Sequence, residues 1–134
     1  MTRHKIFSWP VRVYFQDTDA GGVVYHASYV NFFERARTEW LRTFGYSNAG
    51  LMKAFGIVFV VRSMKLDYLR PALLDDMLDV TAEVKDIGRS RLTLLQTVRR
   101  GDELLTEAEV HLVCVSLEGF KPVSVPEVLK SQWK

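Results

Sequence analysis

A chain of 134 residues with 48% hydrophobic and 25% charged residues has the size and make-up of one globular domain, which excludes wholesale disorder. Lys and Arg total 18 against 16 Asp and Glu, a net charge of +2, too balanced for a dedicated nucleic-acid binder. The single cysteine, Cys114, excludes an intrachain disulfide framework and a thiolate zinc cluster, and no apolar run is long enough for a membrane span.

The basic start, Met1 to Lys5, is followed by charges at Arg12, Asp17 and Asp19 rather than by an apolar stretch, so it does not read as a secretory signal. A cytoplasmic protein is expected, and a lone thiol agrees with a reducing compartment. Val11 to Gln16 alternates with period two, placing Val11, Val13 and Phe15 on one face of a strand. Asp17-Thr18-Asp19-Ala20-Gly21-Gly22 ends it in a turn-forming cluster. From Ser28 to Phe44 the period becomes helical. Tyr29, Phe33, Ala36, Trp40 and Phe44, joined by Val30 and Leu41, form a wide apolar face, and Gly45 marks the stop. Ser47 to Phe55 adds a short helix before Gly56.

Strands follow. Ile57 to Tyr68 splits into an even face with Val58, Val60, Arg62, Met64, Leu66 and Tyr68, and an odd face that begins Ile57, Phe59, Val61. That odd apolar row is expected to be buried against another subunit. Met77 to Lys85, Arg91 to Arg99 and Leu105 to Val115 complete the set, separated by short turns that fit antiparallel hairpins. One long helix and about five strands make an α+β domain, in which an antiparallel sheet wraps one helix and residues 1–134 form a single domain.

The densest polar run, Asp17 to Tyr29, lies between the first strand and the long helix. It combines two carboxylates, two glycines and the start of a helix, whose first N–H groups lack intrahelical partners and whose end is partly positive. Such a set suits acyl transfer: N–H groups stabilise an oxyanion while a carboxylate activates water or attacks the carbonyl. Turn and helix-capping chemistry accounts for the same residue types.

The run Arg12-Val13-Tyr14-Phe15-Gln16-Asp17-Thr18-Asp19-Ala20-Gly21-Gly22-Val23-Val24-Tyr25-His26-Ala27-Ser28-Tyr29 resembles the active-site segment of hotdog-fold acyl-CoA thioesterases. The resemblance is to the 4-hydroxybenzoyl-CoA thioesterase type, and within it to the YbgC (Tol–Pal-associated) subgroup. It continues through Phe33 to Glu39, Phe59 to Arg62, Leu74 to Leu78, Val113 to Val115 and Lys121-Pro122. It implies a hotdog fold and hydrolysis of an acyl-CoA by water to the free acid and coenzyme A, with no metal or organic cofactor. It implies that Asp19 is the catalytic carboxylate and that the backbone N–H of His26 polarises the thioester carbonyl. Gly22, Val24, Tyr25, Tyr29, Val60 and Arg62 are expected beside the substrate. It implies a homodimer or homotetramer, and the Tol–Pal association points to an acyl carrier protein or envelope link.

Other residues have more local expectations. Asp17 is expected to brace the Gly21-Gly22 turn by accepting its N–H groups. Glu34 and Arg37, three apart on the helix, are expected to form an ion pair. Arg89 and Arg91 lie at the Gly88 turn and suit the phosphates of coenzyme A. Cys114 reads as a small core residue, and His4, His26 and His111 lack metal-ligand spacing. A rival within the fold is a hydratase or dehydratase using His26 with Asp19; another is a non-catalytic acyl-carrier or envelope binding module.

Overall fold

The computed structural model describes residues 5–134, so most of the basic N-terminal stretch, including His4, lies outside the described residues. Five strands, β1 (Phe7–Arg12), β2 (Ile57–Tyr68), β3 (Met77–Ile87), β4 (Arg91–Arg100) and β5 (Glu103–Ser116), form one antiparallel sheet in the order β1-β3-β4-β5-β2. The long helix α1 (His26–Arg42) lies over β3, flanked by β1 and β4, and α2 (Asn48–Phe55) packs on β2. Ser47 caps α2 by accepting the Gly50 N–H at 2.9 Å, and Gly56 ends it at φ +64°, a conformation glycine adopts without strain.

The alternation in β3, β4 and β5 follows the period-two reading. Leu78, Val80 and Ala82, then Leu92, Leu94 and Val98, then Ala108, Val110, Leu112 and Cys114 are buried. On α1, Tyr29, Phe33, Ala36 and Trp40 meet them, but Val30 is exposed and Phe32 takes the buried place.

The first strand ends earlier than the alternation suggests. It runs Phe7–Arg12, and Phe15–Asp17 is a turn of 3-10 helix. The Asp17 carboxylate accepts the Tyr14 N–H at 2.8 Å while the Asp17 N–H donates to the Tyr14 carbonyl at 2.9 Å, a local pairing that competes with the ladder. Phe15 is consequently 80% exposed instead of joining Val11 and Val13 in the core. Pro10 is tolerated because β1 is an edge strand.

β2 carries a bulge. Val61 pairs with Leu112 and Ser63 with His111, so Arg62 is the extra residue. The inward row is therefore Ile57, Phe59 and Val61 before the bulge, and Met64, Leu66 and Tyr68 after it, opposite Val110, Ala108 and Thr106. This corrects two expectations. Arg62 does not share a face with Met64, Leu66 and Tyr68, and in the Ile57-Phe59-Val61 row Ile57 and Phe59 pack within the protomer while Val61 stays exposed.

A buried glutamine ties α1 to the sheet. Gln96, on the inner face of β4, donates to the Phe33 carbonyl at 3.1 Å and the Thr81 carbonyl at 3.2 Å, and accepts from Arg37 Nη1 at 3.0 Å. Arg37 thus turns to Gln96, and the Glu34–Arg37 ion pair is not among the ion pairs of the described residues. Periodicity also missed α3 (Glu127–Trp133), which follows Pro126 and buries Leu129 and Trp133. Trp133 lies against Trp40, with ring centroids 4.9 Å apart.

Candidate active site

The loop between Asp17 and Tyr25 is held at both ends and across its middle. Val24 donates to the Ala72 carbonyl at 2.9 Å, Leu74 to the Gly22 carbonyl at 3.0 Å, and Tyr25 to the Asp17 carbonyl at 2.9 Å. Gly22 takes φ +74°, which lets its N–H reach the Asp19 carbonyl at 3.1 Å while Asp19 donates to the Val23 carbonyl at 3.0 Å. Beneath it, Arg100 bridges Asp76 at 2.7 Å and Glu103 at 2.8 Å, and Asp76 accepts the Leu73 N–H at 2.8 Å. The Arg100 and Arg70 guanidiniums beside it hold the Glu103 carboxyl below its usual range.

The two aspartates have different surroundings. Asp17 is 6% exposed; its carboxylate takes the Tyr14 N–H, and its carbonyl accepts from Ser28 Oγ at 3.2 Å as well as from Tyr25. Its partner is therefore Tyr14, not the Gly21-Gly22 turn. Asp19 is exposed, and it is Asp19 Oδ1 that accepts the Gly21 N–H, at 3.0 Å. Asp19 Oδ2 has no hydrogen bond among the described residues.

Neither aspartate caps α1. Its N-cap is Tyr25, without a side-chain bond, and the His26 and Ala27 N–H groups have no acceptor among the described residues. The 17-residue helix thus presents free N–H groups and its positive end beside the loop. Tyr68 leans over this start: its hydroxyl donates to the His26 carbonyl at 3.3 Å, and its ring meets the His26 ring edge-on at 4.8 Å. The Tyr29 hydroxyl accepts the Ala72 N–H at 2.9 Å; burial pushes its pKa up, and that bond partly offsets the rise. Tyr68 is a residue that sequence reasoning missed. Its only local signal is its place as the last residue of an edge strand.

Asp19, Gly22, Val24, Tyr25, His26 and Tyr29 are thus gathered on one loop and helix start. Val60 is not with them. It lies eight residues before Tyr68 along β2, roughly 27 Å at a strand's rise, and is paired with Val113 on the outer face. Arg62 and Arg91 line a separate cavity of about 390 Å³ with Ser63, Asp86, Thr93 and His111, also on the outer face. Arg89 is exposed and is not part of that lining; its carbonyl accepts the Val125 N–H at 2.8 Å. Among the described residues no three His, Cys, Asp or Glu side chains converge as metal ligands would.

An apolar cavity of about 300 Å³ opens between α1, α2 and the inner face of the sheet. Trp40, Leu41, Phe59, Leu92, Leu94 and Trp133 supply its apolar walls, and Glu34 and Arg37 sit among its polar lining. It occupies the Ile57 half of β2, away from the Asp19 loop at the Tyr68 end. Burial pulls the Arg37 guanidinium's pKa down, against the opposing charge of Glu34. Cys114, buried in the core, has its thiol pushed up to about 11 by desolvation.

A family model described as the thioesterase-like superfamily matches residues 13–133. The acyl-CoA thioester hydrolase YbgC of Shigella flexneri is 48% identical over 130 residues, covering 96% of each chain. The acyl-CoA thioesterase YbgC of Haemophilus influenzae is 46% identical over 125 residues, covering 93% of this chain and 92% of that one. Among solved structures, a probable thioesterase from Bartonella henselae superposes with a TM-score of 0.87 at 35% identity, over 91% of this chain and all of that one.

Proposed function

The chain belongs to the thioesterase-like superfamily of hotdog proteins, in its YbgC group, and from that premise we propose that it hydrolyses an acyl-CoA to the free acid and coenzyme A with Asp19 as the catalytic carboxylate. The observation that carries this reading is the exposed Asp19 carboxylate on the same short loop as an uncapped helix N-terminus. The thioester carbonyl is held by the free N–H groups of His26 and Ala27, which stabilise the negative charge that develops on its oxygen. Asp19 either takes a proton from water as the water oxygen adds to the carbonyl carbon, or adds to that carbon itself and is released by water. In both routes the carbon–sulfur bond breaks and the coenzyme A sulfur leaves with the electron pair, to be protonated. The backbone of His26 rather than its imidazole does this work. The ring packs on Tyr68 and makes no hydrogen bond to Asp19, which counts against the proton shuttle a hydratase needs.

The reading includes a second copy of the chain. β2 is an edge of the sheet with Val60 and Val61 exposed, a strand that invites pairing. A two-fold extension of the sheet through this edge is antiparallel, so it lays the Tyr68 end of one copy beside the Ile57 end of the other. That brings the Asp19 loop of one protomer to the apolar cavity of its partner, whereas within a protomer the two sit at opposite ends of β2. Arg62 and Arg91, with Arg89 nearby, are then the basic groups for the coenzyme A phosphates. The enzyme works in the cytoplasm, where coenzyme A thioesters are made and used, as a homodimer or a homotetramer built from it.

Thiol release measured across a panel of acyl-CoAs tests the reading. Asp19→Asn is close to isosteric but is neither base nor nucleophile, so turnover falls by about 10²–10⁴-fold. A folded Asn variant with near wild-type turnover refutes the assignment. Hydration of crotonyl-CoA without thiol release replaces the hydrolase reading with the hydratase one, and binding without turnover replaces it with the binding module.

A further inference from the structure

We propose that α3 is the end stop of the acyl slot, and that Trp133 sets how long an acyl chain the enzyme accepts. The inference rests on the thioesterase reading and takes the apolar cavity as the place of the acyl group. That cavity, about 300 Å³, holds roughly ten non-hydrogen atoms at about 30 Å³ each. Beyond it lies a second groove of about 520 Å³, between the start of β1 and the end of α1, with Ile6, Phe7, Phe44 and Val84 among its walls.

The two spaces share two lining residues, Trp40 and Trp133. Their rings, 4.9 Å apart and inclined by 31°, are the partition. Phe59 on the slot side and Phe44 on the groove side steady the Trp133 ring, at 5.7 Å and 6.1 Å. Trp40 lies in the last turn of α1 and is 6% exposed, so altering it also disturbs the packing of the main helix. Trp133 is the penultimate residue of the chain, on a helix of seven residues anchored by Leu129.

Trp133 is 3% exposed, and its buried indole N–H has no acceptor among the described residues. The groove mixes apolar walls with Lys5, Gln132 and Lys134, so a chain that passes the partition lies along its apolar side, against Ile6, Phe7 and Phe44. A medium-chain acyl group fits the slot as it stands, and a longer one stops at Trp133.

The test is kcat/KM for saturated acyl-CoAs from four to sixteen carbons, with the wild-type dimer and three variants. Wild type falls off once the chain exceeds what the slot holds. Trp133→Ala joins slot and groove, and about fourfold per newly buried methylene raises the long-to-short ratio ten- to a hundredfold. Trp133→Leu shifts the ratio in the same direction but less, and Trp133→Phe least, because each keeps more of the partition. The leucine variant carries the test if the alanine variant does not fold. A folded Ala or Leu variant that cleaves short chains and keeps the wild-type length profile overturns the end stop while leaving the thioesterase reading intact. A wild type that releases thiol from no acyl-CoA overturns both.

Discussion

Gln96→Leu removes a fully buried polar side chain from the inner sheet face with little change in volume. Gln96 gives two hydrogen bonds, to the Phe33 and Thr81 carbonyls, and receives one from Arg37. The two carbonyls belong to α1 and β3, where backbone partners remain, so the neutral bonds cost about 0.5–1.5 kcal/mol each at most. The bond from Arg37 is charge-assisted, about 1.5–3 kcal/mol, and its loss strands a half-buried guanidinium. Leucine returns some apolar burial, so the expected net loss is about 2–4 kcal/mol. For a domain of this length that is on the order of 8–16 °C in melting temperature.

Urea unfolding at fixed protein concentration reads this loss, since association adds to apparent stability. The double variant Gln96→Leu with Arg37→Met separates the bonds from the stranded charge. With the guanidinium gone, the site becomes an apolar contact between helix and sheet, and the double variant should recover at least 1 kcal/mol relative to Gln96→Leu alone. A Gln96→Leu protein within about 0.5 kcal/mol of wild type, or a double variant whose losses simply add, refutes the claim that Gln96 holds Arg37 in place.

Tyr29→Phe removes the acceptor of the buried Ala72 N–H and should cost about 1–3 kcal/mol of stability, with faster amide exchange at Ala72. Replacing both Arg62 and Arg91 by alanine should raise KM for acyl-CoA with little change in kcat, less so at high salt and for a thioester lacking the nucleotide; equal damage with both substrates places them in the fold instead. Exhaustive chelation should leave turnover intact, and activity lost to chelator and restored by zinc sinks the carboxylate mechanism. Arg100 and Arg70 lower the pKa of Glu103, so its contribution is fully present above its usual 4.5 and is lost as pH falls through the lowered value. Wild type should therefore lose more melting temperature than Glu103→Gln between pH 6 and pH 3, and identical losses exclude that linkage.

The parts of the fold that were legible in the sequence are those where one local rule ran without interruption. β3, β4 and β5 alternate cleanly, and their buried rows follow. α1 is long enough for its apolar stripe to outweigh single misplacements such as Val30. β2 defeats the same rule because one extra residue at Arg62 changes the phase, and Val-Val-Arg-Ser holds no glycine or proline to mark it. β1 is misplaced because the Asp17 carboxylate closes a turn on Tyr14, a competition that alternation does not register. α3 is too short to show a helical period, although Pro126 and the four-residue spacing of Val125, Leu129 and Trp133 were a signal. The Asp19 loop was legible because its residues are contiguous. Tyr68 and Trp133 were not, because only the fold carries them to their places.

The two aspartates show why residue type alone could not assign the site. Asp17 and Asp19 are two positions apart in one loop, and either fits turn chemistry. The fold separates them by burial: Asp17 is 6% exposed, whereas Asp19 is open to solvent. Asp17 gives one carboxylate oxygen to the Tyr14 N–H and its carbonyl to Tyr25 and Ser28, and sits under the helix start as a brace. Asp19 spends one oxygen on Gly21 and keeps the other free. Bracing suits a buried carboxylate tied to the backbone, whereas a base or nucleophile must stand open to the substrate. Asp17→Asn should therefore act through position: the amide can still accept the Tyr14 N–H but places a new donor in a buried site, so stability and turnover fall together and modestly. Asp19→Asn should lower turnover with stability nearly unchanged. Turnover lost at Asp17→Asn with unchanged stability, beside an active Asp19→Asn, exchanges the two roles.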